Sequence, residues 1–200
     1  MREKFCPWCG SELAIAEVDG KRRPRCTAAT CDYVFWDNPT PVVAAIVELG
    51  DAVILVRNQG WPEKMFGLVT GFLEKDETPE ESVLREVREE LGLEGEVVGF
   101  VGYYSFFQMN QLILAFHVRA QGELALGEEL AEIKPIPPDK LRPWPFGTGL
   151  AIRDWLKARS SLGFRSGNAS RQALAGTKLG WLSCSEWGKP SFFDAESRAS

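Results

Sequence analysis

Histidine is almost absent from this 200-residue chain, which contains a single copy, His117. One histidine gives no cluster of imidazole ligands for a metal, so we expect His117 to have a structural role. The chain also lacks any apolar run near the roughly 18 residues that predict a membrane span. Its N-terminus lacks the apolar segment of a signal peptide. We therefore expect a cytoplasmic protein with no membrane partner.

Basic residues are too few to give the chain a positive charge. The 23 Lys and Arg residues are outnumbered by 28 Asp and Glu residues, and the formal net charge is −5. This balance argues against broad electrostatic binding to nucleic acid, although a local basic patch is compatible with it. A hydrophobic fraction of 44% and a charged fraction of 26% are ordinary for a soluble globular protein. The length allows one good-sized domain and a smaller one.

Cysteine is concentrated at the N-terminus, where four of the five cysteines lie within residues 1–36. Cys6 and Cys9 form a C-x2-C pair, and sixteen residues later Cys26 and Cys31 form a wider C-x4-C pair. Two pairs at this separation resemble a zinc ribbon, in which four thiolates hold a structural Zn²⁺. So short a segment buries little core, so the metal would supply its folding energy. Disulfides, which a reducing cytosol disfavours, and a redox pair are the alternatives.

A basic run lies between the two cysteine pairs and consists of Lys21, Arg22, Arg23 and Arg25. We interpret this run as a solvated hairpin turn rather than as a nucleic-acid contact. At the other end of the chain, residues 160–200 are rich in serine and show no sustained periodicity. They predict an irregular tail, in which Cys184 is expected to be a free thiol.

The segment Gly71–Leu93 contains a strongly predicted helix. Thr78 is a good N-cap, Pro79 suits the first helical position and Glu81 completes a capping box. Gly92 predicts the end of the helix.

Three carboxylates share one face of this helix, because Glu86, Glu89 and Glu90 are spaced at i, i+3 and i+4. Like charges at that spacing repel one another. The carboxylates therefore form either a solvated acidic face, balanced by Arg85 and Arg88, or a site for a hard divalent cation such as Mg²⁺.

Nine constrained positions of this segment match the Nudix box, G-x5-E-x7-R-E-U-x-E-E-x-G-U, where U is a bulky apolar residue. They are Gly71, Glu77, Arg85, Glu86, Val87, Glu89, Glu90, Gly92 and Leu93. The chain therefore resembles Nudix hydrolases, and in particular those with an N-terminal zinc ribbon, such as NADH, ADP-ribose and FAD pyrophosphatases. The resemblance implies an α/β/α sandwich with a mixed sheet over residues 37–159, preceded by the four-cysteine zinc ribbon.

The resemblance also implies roles for the residues of the box. Glu86, Glu89 and Glu90 would hold catalytic Mg²⁺ or Mn²⁺ ions, together with a backbone carbonyl near Gly71. Arg85 would orient Glu86 through a charge-assisted hydrogen bond.

Enzymes of this family often draw one more carboxylate from a later segment, as metal ligand or general base. In this chain the acidic cluster 127–132 is either a solvated turn or short helix without a role in the site, or the segment that supplies this carboxylate. Glu129 is the first candidate, followed by Glu132 and then Glu128. Within the box, Glu77 is expected to support the loop that leads into the helix.

The rest of the apolar pattern predicts the strands and the closing helix of the sandwich. Strands are predicted over residues 42–49, 52–56, 65–72, 96–107, 111–120 and 134–136, and a helix over 149–159.

Two aromatic motifs bear on substrate choice. Phe106 and Phe107 lie where the domain could stack against a nucleotide base, although aromatic residues there are more often core. Pro143–Gly147, which reads PWPFG, lies too far beyond the box to count as the motif of the NADH pyrophosphatases.

The implied function is hydrolysis of a nucleoside diphosphate linked to another moiety, of the NADH, FAD or ADP-ribose type. The alternatives are a non-catalytic nucleotide or ADP-ribose sensor and an RNA-cap hydrolase. The partner is expected to be a small-molecule nucleotide rather than nucleic acid. Similar enzymes often form homodimers, although no interface is visible in the sequence.

Overall fold

A two-stranded hairpin opens the chain in the computed structural model, which describes residues 3–166. Strand β1, Leu13–Val18, pairs antiparallel with strand β2, Lys21–Cys26. Asp19 and Gly20 form the turn between them, both with the positive φ that Gly and Asp tolerate best. The basic run is therefore a strand and not the predicted hairpin turn.

A six-stranded sheet flanked by two helices follows the hairpin. The strands are β3 Thr40–Leu49, β4 Ala52–Asn58, β5 Val69–Phe72, β6 Glu94–Phe106, β7 Gln111–Gln121 and β8 Leu130–Ile136, and the helices are α1 Pro79–Leu91 and α2 Gly149–Ser166. The strand order is β6-β7-β3-β4-β8, with β5 paired to β3. Strands β3 and β7 are parallel and the other pairs are antiparallel, so the sheet is mixed as predicted.

Strand β3 lies at the centre of the sandwich and contributes side chains to the hydrophobic clusters on both faces of the sheet. Val43 and Val47 pack in the cluster that contains α1, whereas Ala44 and Ile46 pack in the cluster that contains α2. Because successive side chains of a strand point to opposite faces, one apolar strand can bury residues against both helices. The predicted α/β/α sandwich is confirmed.

Helix α1 begins and ends where the sequence predicts. The Thr78 hydroxyl accepts a hydrogen bond from the Glu81 amide at 3.2 Å, and the Glu81 carboxylate accepts one from the Thr78 amide at 2.8 Å. Gly92 takes the left-handed conformation that closes the helix, with φ of 68°. These caps fix the helix register that the site depends on.

Several predicted element boundaries are wrong. The strand predicted over 65–72 begins only at Val69, after a single bridge between Gly67 and Val56. The strand predicted over 134–136 begins at Leu130, because the whole segment pairs with β4. The acidic cluster 127–132 is therefore divided between a turn and strand β8, instead of forming one turn or short helix.

The closing helix is also longer than predicted. It continues past Arg159 to Ser166, so the first residues of the predicted irregular tail are helical. The rest of that tail, including Cys184, lies outside the described residues. Within the described part of the chain, neither helix has the length and apolar character needed to cross a membrane.

His117 joins strand β3 to the closing helix. Its Nε2 atom lies 2.7 Å from the Glu48 carboxylate, and its ring meets the Trp155 ring edge-on at 5.4 Å. Arg159 donates a hydrogen bond to the same carboxylate. These contacts fit the structural role predicted for the histidine.

Candidate active site

The carboxylates of α1 face strand β5 at a position where only glycine fits. A Cβ placed on Gly71 would lie 1.8 Å from the carboxyl carbon of Glu86 and 1.9 Å from one of its oxygens. The Glu86 carboxylate therefore occupies the space in which any residue other than glycine at position 71 would place its side chain. This close approach explains why the segment needs a glycine fifteen residues before the glutamate.

Arg85 joins the carboxylates of the helix to the preceding loop. Its guanidinium donates two hydrogen bonds to Glu77, at 2.9 and 3.1 Å, and one each to Glu86 at 2.7 Å and Glu89 at 3.1 Å. A further hydrogen bond reaches the Phe72 carbonyl at 3.2 Å. The hydrogen bonds that Glu77 accepts from Arg85 and from the Glu74 amide lower the pKa of Glu77 to about 2. Glu77 thus supports the loop, while Arg85 orients Glu86.

Glu90 is the most buried carboxylate of the site, with 6% of its surface exposed. Burial, followed by the charges of Glu86 and Glu129, raises the pKa of Glu90 to about 8. Burial also raises the pKa of Glu86, against the opposing hydrogen bond from Arg85. Among the described residues no donor pairs with the Oε2 atom of Glu90. A buried carboxylate oxygen with no partner is poorly accommodated unless a cation or proton satisfies it.

A loop brings Glu129 to the same place. The amides of Ala125 and Gly127 each donate a hydrogen bond of 2.9 Å to the last carbonyls of α1, on Leu91 and Glu90 respectively. A Cβ on Gly127 would lie 2.8 Å from the Glu89 carbonyl oxygen, so this docking also requires glycine.

Gln59 holds the other side of this loop. Its backbone amide donates to the Glu129 carbonyl at 2.8 Å, and its side-chain amide donates to the Glu128 carbonyl at 2.7 Å. The turn with Glu129 is thus fixed between α1 and the end of β4. The charge of Glu129 adds to the burial that raises the pKa of Glu86 and the pKa of Glu90.

The three later carboxylates proposed for the site do not lie together. Glu128 and Glu129 line the same cavity as the box carboxylates, whereas Glu132 is absent from its lining. Glu132 instead pairs with Arg57 at 3.1 Å across β4 and β8. A β-bulge between Arg57 and Asn58 separates the register of Glu132 from that of the turn. The placement of Glu132 as second candidate is not supported by this geometry.

One large cavity, of about 1110 Å³, contains the carboxylates together with an aromatic wall. The aromatic residues that line it are Trp61, Phe66, Phe72, Phe106, Trp144 and Phe146. Phe106 stacks on Phe146 with ring centroids 6.2 Å apart and planes inclined by 19°. Phe107, the other base-stacking candidate, is 86% exposed and does not line the cavity.

Sequence reasoning missed the contribution of Trp144 and Phe146. Their PWPFG segment connects a 3-10 turn at Pro138–Lys140 to α2, and a Cβ on Gly149 would lie 2.1 Å from the Trp144 carbonyl oxygen. The usable signal was the pair of prolines bracketing an aromatic residue just before the closing helix, which predicts a rigid connection. Distance from the box along the chain was a poor guide to distance in space.

The charges that line the cavity fit divalent cations. Among the described residues, six lining carboxylates (Glu74, Glu86, Glu89, Glu90, Glu128 and Glu129) face only two lining cations, Lys64 and Arg85. The guanidinium of Arg85 is already engaged by three carboxylates. Hard oxygen donors, one of them buried without a partner, are the ligands that Mg²⁺ and Mn²⁺ prefer. The residues present therefore fit such ions.

The four N-terminal cysteines form a second centre. The Sγ atoms of Cys6, Cys9, Cys26 and Cys31 all lie within 4.8 Å of one another. The Cys9–Cys26 and Cys6–Cys31 separations are 3.4 and 3.7 Å. A tetrahedral site with Zn–S bonds of about 2.3 Å places its sulfurs about 3.8 Å apart. These four thiols are thus placed to hold one metal ion.

Comparison with known proteins identifies the family. The family model described as NUDIX domain matches residues 38–156. The chain belongs to the Nudix family. The match covers the sheet, the box helix and the first part of the closing helix, so the carboxylate face described above is the Nudix box of a Nudix domain.

Several curated relatives of the chain carry the name NAD-capped RNA hydrolase NudC. A Pseudomonas putida relative is 28% identical over 150 residues, which are 74% of this chain and 53% of that protein. A Mycobacterium tuberculosis relative is 34% identical over 125 residues, which are 60% of this chain and 38% of that protein. The chain spans about half the length of the first of these relatives.

A solved structure of a Nudix hydrolase from Nitrosomonas europaea has the same fold. It superposes with a TM-score of 0.68 and is 23% identical in sequence, and the match covers 80% of this chain and 93% of that one. The likeness extends over nearly the whole of that protein.

Replacement of Gly71 should damage the cation site without unfolding the domain. In Gly71→Ala the new methyl group occupies the place of the Glu86 carboxylate, so Mn²⁺ affinity should fall by about 10- to 100-fold. Isothermal titration calorimetry measures the Mn²⁺ affinity of the variant and of the parent. Gly99→Ala is the matched control, because nothing lies within 4 Å of a Cβ there. Unchanged Mn²⁺ affinity in Gly71→Ala would contradict the assignment.

Glu90 should make the metal-free protein less stable as the pH rises. The carboxyl ionises near 4.5 when unfolded but near 8 when folded, so the folded state binds more protons between these values. Its stabilising effect is complete below about pH 4.5 and is lost by about pH 8. Glu90→Gln cannot ionise, and should therefore be stabilised relative to the parent by about 1–3 kcal/mol at alkaline pH.

Thermal unfolding of chelator-treated protein at about pH 5 and about pH 8.5 tests this expectation. Glu132→Gln serves as the control, since Glu132 is paired with Arg57 and half exposed. An equal effect of Glu90→Gln at both pH values would contradict the burial argument.

Proposed function

We propose that this Nudix protein is a divalent-metal-dependent hydrolase that cleaves the pyrophosphate bond of a nucleoside diphosphate linked to another moiety. The observation that carries the proposal is the convergence of box carboxylates, with one buried and unpaired oxygen, on a cavity that also has an aromatic wall. Carboxylates alone repel a pyrophosphate, whereas carboxylates that hold cations attract it. The intact box favours hydrolysis over a purely sensory role.

The roles of the residues follow from their positions. Glu86, Glu89 and Glu90 would hold Mg²⁺ or Mn²⁺ with the backbone near Gly71. When bound, such ions supply positive charge to the phosphates and lower the pKa of an attacking water. Arg85 keeps Glu86 in place through the hydrogen bond of 2.7 Å.

Glu129 is the residue that we assign as general base. It stands on a turn that is anchored on both sides, so its carboxylate can be held at a fixed distance from the box. A base must come within hydrogen-bond reach of the proton that it removes. Glu129 would take the proton of the attacking water, and Glu128, on the same turn, is the next candidate.

The size and lining of the cavity favour a substrate with two parts. Its volume of about 1110 Å³ is at or above the upper end of the usual range for small-molecule sites. Aromatic rings bind nucleotide bases by stacking, whatever the base. Dinucleotide-type substrates such as NADH, FAD or ADP-ribose suit both features, and the NAD-capped RNA in the names of the relatives ends in a dinucleotide of this kind.

The cysteine centre has a separate, structural task in this proposal. A Zn²⁺ ion held by four thiolates keeps no open position for substrate, so it stabilises the N-terminal module rather than catalysing. The buried core of that module is small and consists of Cys6, Leu13 and Cys26. A cytoplasmic location and a homodimer are compatible with these assignments and belong to the proposal.

Loss of the Glu90 charge should abolish most turnover. Glu90→Gln should lower kcat/KM by about a hundredfold or more, because it weakens a direct cation ligand. The assay uses Mg²⁺ or Mn²⁺ with NADH, NAD⁺, FAD, ADP-ribose, dinucleoside polyphosphates and nucleoside triphosphates. Release of AMP from one dinucleotide identifies the substrate class.

Glu132→Gln provides the matched control for this assay, since Glu132 lies outside the cavity lining. Near-normal turnover in Glu90→Gln would remove the site assignment. Binding of a nucleotide without any hydrolysis by the parent would instead favour the sensor function.

The aromatic wall should determine how tightly the substrate is held. Phe146 is 44% exposed and stacks on Phe106, so Phe146→Ala should raise KM by roughly 5- to 100-fold with a smaller effect on kcat. Steady-state kinetics on the best substrate of the panel measures both constants. Phe107→Ala removes an exposed ring outside the cavity and should change neither. Equal effects of the two substitutions would argue against a base-binding wall.

A further inference from the structure

Strand β2 presents its cations on one face of the N-terminal hairpin. The register pairs Lys21 with Val18, Arg23 with Ala16 and Arg25 with Ala14. Directly paired residues of an antiparallel ladder share a face, so these three cations stand beside small apolar residues. Glu17 pairs with Arg22 and therefore belongs to the opposite face. We name the set Lys21, Arg23, Arg25 and the nearby Trp36 the cationic face.

The cations of this face have no acidic partner within the described part of the chain. None of Lys21, Arg23 and Arg25 forms an ion pair within residues 3–166, although the chain is rich in acidic residues. Most arginines of the Nudix domain behave differently. Each of six pairs with a carboxylate, namely Arg57, Arg85, Arg88, Arg119, Arg153 and Arg159, whereas Arg142 donates to backbone carbonyls. Unpaired cations lined up on one strand attract polyanions.

Trp36 adds an aromatic surface to the cationic face. Residues 33–36 run beside β2, with a bridge between Arg25 and Val34 and a hydrogen bond of 2.8 Å from the Phe35 amide to the Pro24 carbonyl. The Arg23 guanidinium lies 4.8 Å from the centre of the Trp36 ring and donates to the Trp36 carbonyl at 2.6 Å. Trp36 is still 45% exposed. A cation and an exposed indole held together form a platform for a base and its phosphate.

The cationic face continues into the rim of the cavity. Asp37 follows Trp36 directly, and the Asn110 side chain donates to its carboxylate at 3.1 Å. The Asn110 carbonyl also accepts a hydrogen bond of 2.9 Å from Thr40. Met109 and Gln111, which flank Asn110, both line the cavity. The hairpin is thus tied to the cavity edge rather than joined to it by a free linker.

We propose that the cationic face binds the phosphate backbone of a single-stranded polynucleotide whose 5′ end carries the pyrophosphate cleaved in the cavity. Alternate residues of a strand are about 6.6 Å apart, a separation similar to that of successive phosphates along an extended single strand. This inference rests on the proposed hydrolase function and narrows its substrate to a nucleotide-capped RNA. The negative charge of the whole chain is compatible with it, because the cations are segregated on one surface.

Neutralisation of two exposed cations tests the proposal. Lys21→Gln/Arg25→Gln leaves the Arg23–Trp36 contact in place, and Arg22→Gln/Lys140→Gln is the charge-matched control away from this face. Fluorescence anisotropy measures binding of a labelled short single-stranded oligoribonucleotide by the full chain over a range of salt concentrations. The face variant should weaken binding by about tenfold and lower the slope of log K against log salt by about 1.4, for two contacts at about 0.7 each.

Hydrolysis separates this surface from the catalytic site. The face variant should lower kcat/KM by about tenfold for an oligoribonucleotide with a 5′ NAD group, and should leave hydrolysis of free NAD⁺ or NADH unchanged. The control variant should match the parent on both substrates. If the parent hydrolyses neither substrate, the proposed function fails, and the binding measurement still decides whether the face holds RNA.

Three results would overturn the inference. One is RNA binding and capped-RNA hydrolysis by the face variant at parental levels. Another is equal loss in the face and control variants, which would reflect net charge alone. The third is binding of the face to vesicles of anionic phospholipid, lost in the face variant, with no measurable binding of RNA.

Discussion

The guanidinium of Arg85 holds together carboxylates that would otherwise repel one another. It is in contact with three carboxylates and a backbone carbonyl, and these contacts come from the loop before α1 as well as from α1 itself. The arrangement gathers negative charge at one place and fixes it there. Glu90 differs, because it has no hydrogen bond from this guanidinium and is buried, and its Oε2 atom has no partner among residues 3–166. The carboxylates are thus held in fixed positions by the protein itself, as the proposed cation site requires.

Two further elements depend on the turn of α1 that carries these carboxylates. Strand β5 approaches it so closely that Gly71 cannot carry a side chain, and the loop at Gly127 docks on its last carbonyls under the same restriction. Because both positions are glycine, the backbone itself can approach the turn that carries the carboxylates. Gln59 then couples the end of β4 to the turn that carries Glu129. The position of the acidic groups is accordingly determined by backbone contacts from three separate segments of the chain.

Much of this architecture could be predicted from the sequence. The caps of α1 and the succession of strands along the chain can be predicted from local patterns, and the burial of β3 on both faces follows from its unbroken apolar run. The start of β8 was missed because Leu130 and Ala131 lie among the glutamates of the acidic cluster 127–132, and only pairing with β4 makes them part of a strand. The contribution of Trp144 and Phe146 was missed because folding brings them to Phe106 from forty residues away. Contacts between distant segments leave no local signal.

The acidic groups of the cavity and its stacked aromatic rings belong to different parts of the chain. The acidic groups come from α1 and the turn at Glu129, whereas the stacked rings of Phe106 and Phe146 come from the end of β6 and from the connection before α2. Mutations that reshape the rings therefore need not disturb the acidic groups. Under the proposed function, a lineage with this fold can exchange one nucleoside for another while its bond-cleaving chemistry stays the same. The separation makes the protein an adaptable starting point for selection of new specificities.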